Sequence, residues 1–192
     1  MSHFFAYMSR MKYIQRWGLM RNTQPENIQE HSLQVAMIAH CLAVIRNTYF
    51  NGALDPEKVA LLAIYHEAQE VITGDLATPI KYFSPEIRKA YKDIEMVASD
   101  RLFSMLPEEM KEAYRPLLYN LADDKEELKL VKYADKICAY IKCVEEMKSG
   151  NSEFACAYKT IREDINAFDS DEVRFFMDKF AESFSLTLDE MA

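Results

Sequence analysis

Helix-start signals recur along this chain, and apolar residues at helical spacing follow nearly every one. Asn27 stands three residues before Glu30, a capping-box pattern, ahead of Val35, Ile38, Leu42 and Ile45 on one face. Asp55-Pro56-Glu57 sets a cap residue and a first-turn proline before Val59, Leu62, Ala63 and His66. Ser84-Pro85-Glu86 predicts a helix whose inner stripe is Ile87, Tyr91, Ile94 and Val97 or Ala98. Pro107-Glu108-Glu109 opens a shorter helix. Asp123 with Glu126 opens a long one through Leu128, Val131, Asp135, Cys138 and Lys142, ending near Gly150. Val173, Phe176, Met177, Phe180 and Phe184 mark a last amphipathic helix, compatible with a homodimer face but more often core. Sheet-rich folds need many turns, and turns consume Gly and Pro. With 4 glycines and 6 prolines in 192 residues, the expected fold is all-α. No linker, low-complexity tract or repeat interrupts residues 1–192, which are expected to form one domain.

Charge and cysteine usage narrow the function. A net charge of -8 disfavours a nucleic-acid polymer as partner, because phosphate neutralisation demands a basic face. A small phosphorylated substrate needs only one or two local cations. Cys41, Cys138, Cys143 and Cys156 form no Cys-x-x-Cys pair and match no zinc-ribbon spacing, so they read as reduced thiols. Arg10 and Lys12 interrupt the apolar N-terminus, and no apolar run is expected to reach the roughly 18 residues of a membrane span. A cytoplasmic protein without a membrane partner is expected.

Three elements carry ionisable residues where apolar ones belong. Glu30-His31-Ser32 lies at a helix start. His66-Glu67 follows Leu61-Leu62-Ala63-Ile64-Tyr65, and Asp135 interrupts the inner stripe of the long helix. Buried ionisable groups need a partner or a metal. Taken singly, each fits ordinary packing or a salt bridge to a neighbouring lysine. Taken together, two imidazoles and two carboxylates favour one divalent transition metal, with Co, Mn, Fe or Zn all suited to the donors. On a regular helix Glu70 lies about 40° and Glu67 about 100° around the axis from His66, so all three can face one cleft. His40 lies about 180° from His31 and should not join them. Thr73-Gly74-Asp75-Leu76-Ala77-Thr78-Pro79 reads as a loop directly after the His66 helix, a common place for substrate contacts.

The order His, His-Asp, Asp on helices resembles the HD superfamily of metal-dependent phosphohydrolases. The resemblance is closest to the bacterial HD-domain 5′-deoxynucleotidases and runs over nearly the whole chain. It is carried by Arg16-Trp17, Glu30-His31-Ser32-Leu33-Gln34-Val35-Ala36, Tyr65-His66-Glu67-Ala68-Gln69-Glu70, the segment from Thr73 to Phe83 and Lys132-Tyr133-Ala134-Asp135. It implies an HD-domain helical bundle that hydrolyses deoxyribonucleoside 5′-monophosphates. By position, His31, His66, Glu67 and Asp135 would bind the metal and Glu70 would handle the proton of the attacking water or leaving oxygen. Arg16 would orient phosphate, Trp17 would exclude a 2′-hydroxyl, and the Asp75, Leu76, Ala77 and Thr78 loop would contact the nucleotide. The chain departs from the family at Glu67, where the family has Asp. Metal binding is expected to persist there with reduced turnover, restored by Glu67→Asp. The alternatives are another HD phosphohydrolase, such as a phosphodiesterase or triphosphohydrolase, and a non-catalytic nucleotide-binding helical protein.

Overall fold

The computed structural model describes residues 1–119 and 121–192, and every regular element among them is helical. In chain order the α-helices are α1 (Phe4–Met8), α2 (Ile28–Tyr49), α3 (Pro56–Tyr65), α4 (Glu70–Thr73), α5 (Thr78–Lys81), α6 (Pro85–Ser104), α7 (Lys111–Leu118), α8 (Lys125–Lys148), α9 (Ala155–Asn166) and α10 (Asp171–Lys179). Short 3-10 turns join several of them.

The caps follow local chemistry. The Asn27 side chain accepts from the amides of Gln29 and Glu30 at 3.0 and 3.1 Å, although Glu30 does not return the bond of a full capping box. Asp55 caps α3 with Pro56 in its first turn, and Ser84 caps α6 ahead of Pro85. At the start of α8 it is Asp124, not Asp123, that stands at the cap position, and its carboxylate turns instead to Lys58 Nζ at 2.5 Å. Helix α9 is absent from the sequence reading because Phe154 stands at its cap position and carries no capping side chain.

Helix α2 is the centre of the packing. Its Val35, Ile38, Leu42 and Ile45 are buried with Val59, Leu62 and Ala63 of α3 and with Val131, Ala134, Ile137 and Cys138 of α8. Ile161 and Ile165 of α9 and Val173 and Phe176 of α10 close this cluster with Met177 and Phe184 packed against it, but α10 ends at Lys179, short of the expected stripe, and Phe180 is exposed. Each fully buried side chain of this size contributes about 1.5–3 kcal/mol through the hydrophobic effect. Contrary to the expectation of no such run, α2 is long and apolar enough to cross a membrane by length and composition. It is instead a core helix, with 56% of that stretch buried inside the bundle.

A smaller cluster of Phe4, Ala68, Leu102, Leu106 and Leu118 joins α1, α6 and α7 beside the end of α3. Here the expected stripe of α6 is half wrong. Tyr91, Ala98 and Leu102 face inward, whereas Ile87, Ile94 and Val97 are exposed, the last two by 53% and 67%. The helix carries two apolar stripes, and the neighbouring α1, α4, α5 and α7 cover only one of them.

A buried ion pair ties the segment before α2 to the end of α8. Glu146 receives Lys142 Nζ at 2.5 Å, the Thr23 amide at 2.9 Å, Thr23 Oγ1 at 2.7 Å, the Gln24 amide at 3.1 Å and Asn151 Nδ2 at 2.7 Å. Lys142 also donates to the Gln24 carbonyl. Burial alone would raise the Glu146 carboxyl, but Lys142, Thr23 and Asn151 together hold it far below its ordinary 4.5. Its contribution to stability is therefore complete above that ordinary value and is lost as pH falls toward the depressed one. Glu146→Ala leaves Lys142 buried and unpaired, so it should destabilise the fold by about 3–5 kcal/mol in denaturant titrations. Recovery of most of that loss in a Lys142→Leu/Glu146→Leu double variant would attribute it to the orphaned charge.

Candidate active site

Three elements of the large cluster bring the expected ligands together. His31 lies in the early part of α2, Asp135 at mid-length of α8, and His66-Glu67 just beyond the last residue of α3. This last placement corrects the expectation that the pair sits inside a regular helix. The Ala63 carbonyl, which an α-helix would offer to residue 67, instead receives the His66 amide at 3.4 Å and lies 2.7 Å from His66 Nδ1. The chain then tightens into three-residue turns, with Ala68 bonding to Tyr65 and Glu70 to Glu67, before α4 begins. Angles read from a straight helix do not apply across residues 66–69. The tightened turn nonetheless keeps His66, Glu67 and Glu70 on one side.

One ligand atom each from His31, His66, Glu67 and Asp135 lies within 4.8 Å of the other three. The contact of His66 Nδ1 with a carbonyl makes it the protonated nitrogen, which leaves the Nε2 lone pair facing the cluster. That Nε2 is buried without a hydrogen-bond partner among the described residues. Burial lowers the His66 pKa against the opposing pull of Glu67 and Asp135, so the ring is neutral as a ligand requires. His31 Nε2 approaches Asp135 Oδ1 to 3.0 Å but without the alignment of a hydrogen bond. Burial alone would raise Asp135, yet His31, His66 and Arg16 hold it well below the usual carboxylate range. Two imidazoles and two ionised carboxylates converging in this way fit a divalent transition ion, and the extra methylene of Glu67 does not remove its oxygen from the group. His40 is exposed and outside it.

Arg16 enters from the segment before α2. Its Nη1 lies 3.4 Å from Glu67 Oε2 and its Nη2 lies 3.9 Å from Asp135 Oδ1. Burial disfavours its charge, but Glu67, Asp135, Glu26 and Asp75 more than compensate and keep it firmly cationic. A guanidinium held beside the cluster can take a phosphoryl group by its fork. Glu70 lies buried beside Glu67. Burial first, and the Glu67 carboxylate second, push its pKa up to about 11, so it holds a proton at neutral pH.

Trp17 packs against Phe154 with ring centroids 5.4 Å apart and donates its indole N–H to Glu26 Oε2 at 3.0 Å. Its φ of +57° lies in the left-handed region that aromatic residues rarely occupy. Such a conformation costs on the order of 1–3 kcal/mol and persists where surrounding contacts impose it. Among the loop residues, Asp75 is half-buried and within the electrostatic reach of Arg16 and Glu67, with its pKa raised by burial. Gly74 turns the chain at φ +73°, and its carbonyl accepts from Tyr91 of α6 at 3.3 Å. Leu76 and Ala77 are half-buried and Thr78 is exposed at the start of α5. No hydrogen bond or ion pair joins these three to the cluster among the described residues. The sequence reading missed Glu26. Its partners lie nine and ten residues back and five ahead, and no local pattern marks it.

A family model described as 5′-deoxynucleotidase YfbR-like matches residues 3–184. A 5′-deoxynucleotidase of Vibrio cholerae is 56% identical over 191 residues, covering 100% of this chain and 98% of its own. A 5′-deoxynucleotidase of Photorhabdus temperata is 52% identical over 192 residues, again covering 100% and 98%. An HD-domain phosphohydrolase from Listeria innocua superposes with a TM-score of 0.83 at 22% identity, over 95% of this chain and 88% of its own. A cyanophage S-2L HD phosphohydrolase bound to dA and one catalytic zinc ion superposes with a TM-score of 0.63 at 20% identity, over 95% and 96%. The helical bundle is thus an HD-domain fold.

Proposed function

This chain belongs to the YfbR-like 5′-deoxynucleotidase family, and we propose that the four-ligand cluster beside Arg16 is where it performs that hydrolysis. It is a phosphoric monoester hydrolase that converts deoxyribonucleoside 5′-monophosphates to deoxyribonucleoside and phosphate. The observation that carries the site assignment is the convergence of His31, His66, Glu67 and Asp135 within 4.8 Å. A divalent ion held by these residues would polarise a phosphoryl oxygen and supply hydroxide near neutral pH. Co, Mn, Fe and Zn all suit the donor set, and zinc in the cyanophage relative is consistent with it.

The remaining roles belong to the chain itself. Arg16 binds the phosphate through its terminal nitrogens and opposes the charge that builds as the ester breaks. Glu70, protonated at neutral pH, gives its proton to the leaving 5′-oxygen. Asp75 and the Leu76, Ala77 and Thr78 backbone form the nucleotide-contacting loop that Tyr91 pins to α6. Trp17, fixed by Phe154 and Glu26, excludes a 2′-hydroxyl.

The test is phosphate release across paired deoxy- and ribonucleoside 5′-monophosphates, with Co, Mn, Zn and Mg compared. The wild type should favour the deoxy member of each pair, and Trp17→Ala should narrow that preference roughly 10-fold or more by accepting ribonucleotides. Equal cleavage of both sugars by the wild type would refute the role given to Trp17. Phosphate release unaffected by chelation would refute the metal assignment.

A further inference from the structure

Glu26 stands behind three site residues at once. Its Oε2 accepts from Arg16 Nε and from Trp17 Nε1, each at 3.0 Å. Its Oε1 lies 3.9 Å from His31 Nδ1. Its backbone carbonyl accepts from the Arg16 amide at 2.9 Å, and the Ile28 amide bonds to the Ile14 carbonyl at 3.0 Å. An antiparallel bridge between Gln15 and Asn27 holds the two segments side by side. The Glu26 side chain is 13% exposed, so solvent competes little for these donors.

We infer that Glu26 is a positioning residue for substrate selection, locking the Arg16 fork and the Trp17 ring into one rigid unit so that phosphate and sugar are read in a fixed register. The inference rests on the roles proposed above for those two residues. A guanidinium has five N–H donors. Glu26 takes Nε, which turns the Nη pair toward Glu67 and Asp135, where the phosphate belongs. Trp17 occupies the left-handed region, so its own backbone preference does not set the ring position and its contacts must. Those contacts include Phe154 against the ring, the Met20 amide and Asn22 Nδ2 on the Trp17 carbonyl at 2.8 and 3.3 Å, and Glu26 on the indole N–H. Of these, Glu26 also holds Arg16. Exclusion of a hydroxyl by bulk needs a stiff wall, because a displacement of about 1 Å is enough to lose the selected geometry.

The experiment compares kcat and KM for one deoxy/ribo monophosphate pair in metal-replete wild type, Glu26→Ala and Glu26→Gln. Tryptophan emission anisotropy is measured on the same samples. The chain has a single tryptophan, so emission excited beyond the tyrosine absorption band reports the Trp17 ring alone. In Glu26→Ala the deoxy-over-ribo ratio of kcat/KM should fall roughly 10-fold or more. Its KM for the deoxynucleotide should rise, metal content should stay near that of wild type, and the anisotropy should drop. Glu26→Gln retains an amide oxygen that can accept from both donors and should keep most of the sugar ratio. If Glu26→Ala does not fold, Glu26→Asp, whose shorter side chain cannot reach both donors, replaces it with the same expectation. A fall in turnover that is equal for both sugars, with anisotropy unmoved, would reduce Glu26 to a structural residue and overturn the inference. Glu26→Gln as impaired as Glu26→Ala overturns it as well. Absence of sugar preference in the wild type appears before any variant is measured, and it would remove the Trp17 assignment on which the inference stands.

Discussion

Asp135→Ala and His66→Ala are each expected to lose bound metal together with phosphatase activity. His66 presents its Nε2 into the cluster with no other partner among the described residues. Asp135 is the one carboxylate that α8 contributes to the four converging residues. Removing either leaves three donors, among them the Glu67 carboxylate beside Arg16. Second-sphere changes to metal sites already cost about 10- to 100-fold in affinity or activity, and loss of a direct ligand should exceed that. Elemental analysis after dialysis reads the metal directly, and phosphate release reads the activity. Near-wild-type metal content in either variant would take that residue out of the ligand set. Glu67→Asp belongs in the same series: it should keep the metal, and an increase in turnover would show that the longer side chain is a handicap. An unchanged or lower turnover would instead make Glu67 an adaptation of this site.

Glu70→Ala should behave differently, keeping metal and substrate binding while turnover falls roughly 10²–10⁴-fold, the share typical of general acid-base catalysis. The carboxyl is buried beside Glu67, outside the four converging residues, and burial together with the Glu67 charge keeps it protonated at neutral pH. Deleting it removes a proton donor without opening the cluster. Loss of metal in parallel with activity would make Glu70 a ligand or a support for Glu67.

The architecture was legible because its causes are local. Asn27, Asp55 and Ser84 cap helices by bonding to amides two or three residues ahead. The buried stripes of α2 and α8 follow the helical period, since each residue's depth there is set by its place on the helix. Where local causes are silent the reading failed. Helix α9 begins at Ala155, after a Phe154 that offers no capping side chain. On α6 two stripes compete, and only the neighbouring helices decide that Tyr91 goes in while Ile94 stays out.

For the site, the residues themselves announced His31, His66, Glu67 and Asp135, because ionisable groups on apolar stripes need a partner in any fold. What the order of residues does not contain is distance. That an imidazole from α2, a turn after α3 and a carboxylate from α8 meet within 4.8 Å depends on how those helices cross. In the turn at 66–69, His66 occupies the Ala63 carbonyl that the helix would have used. Glu26 is the clearest case. In the chain it is one glutamate ahead of a helix cap, and only folding places its carboxylate between Arg16, Trp17 and His31. Hydrogen bonds across nine and ten residues of irregular backbone leave no periodic trace.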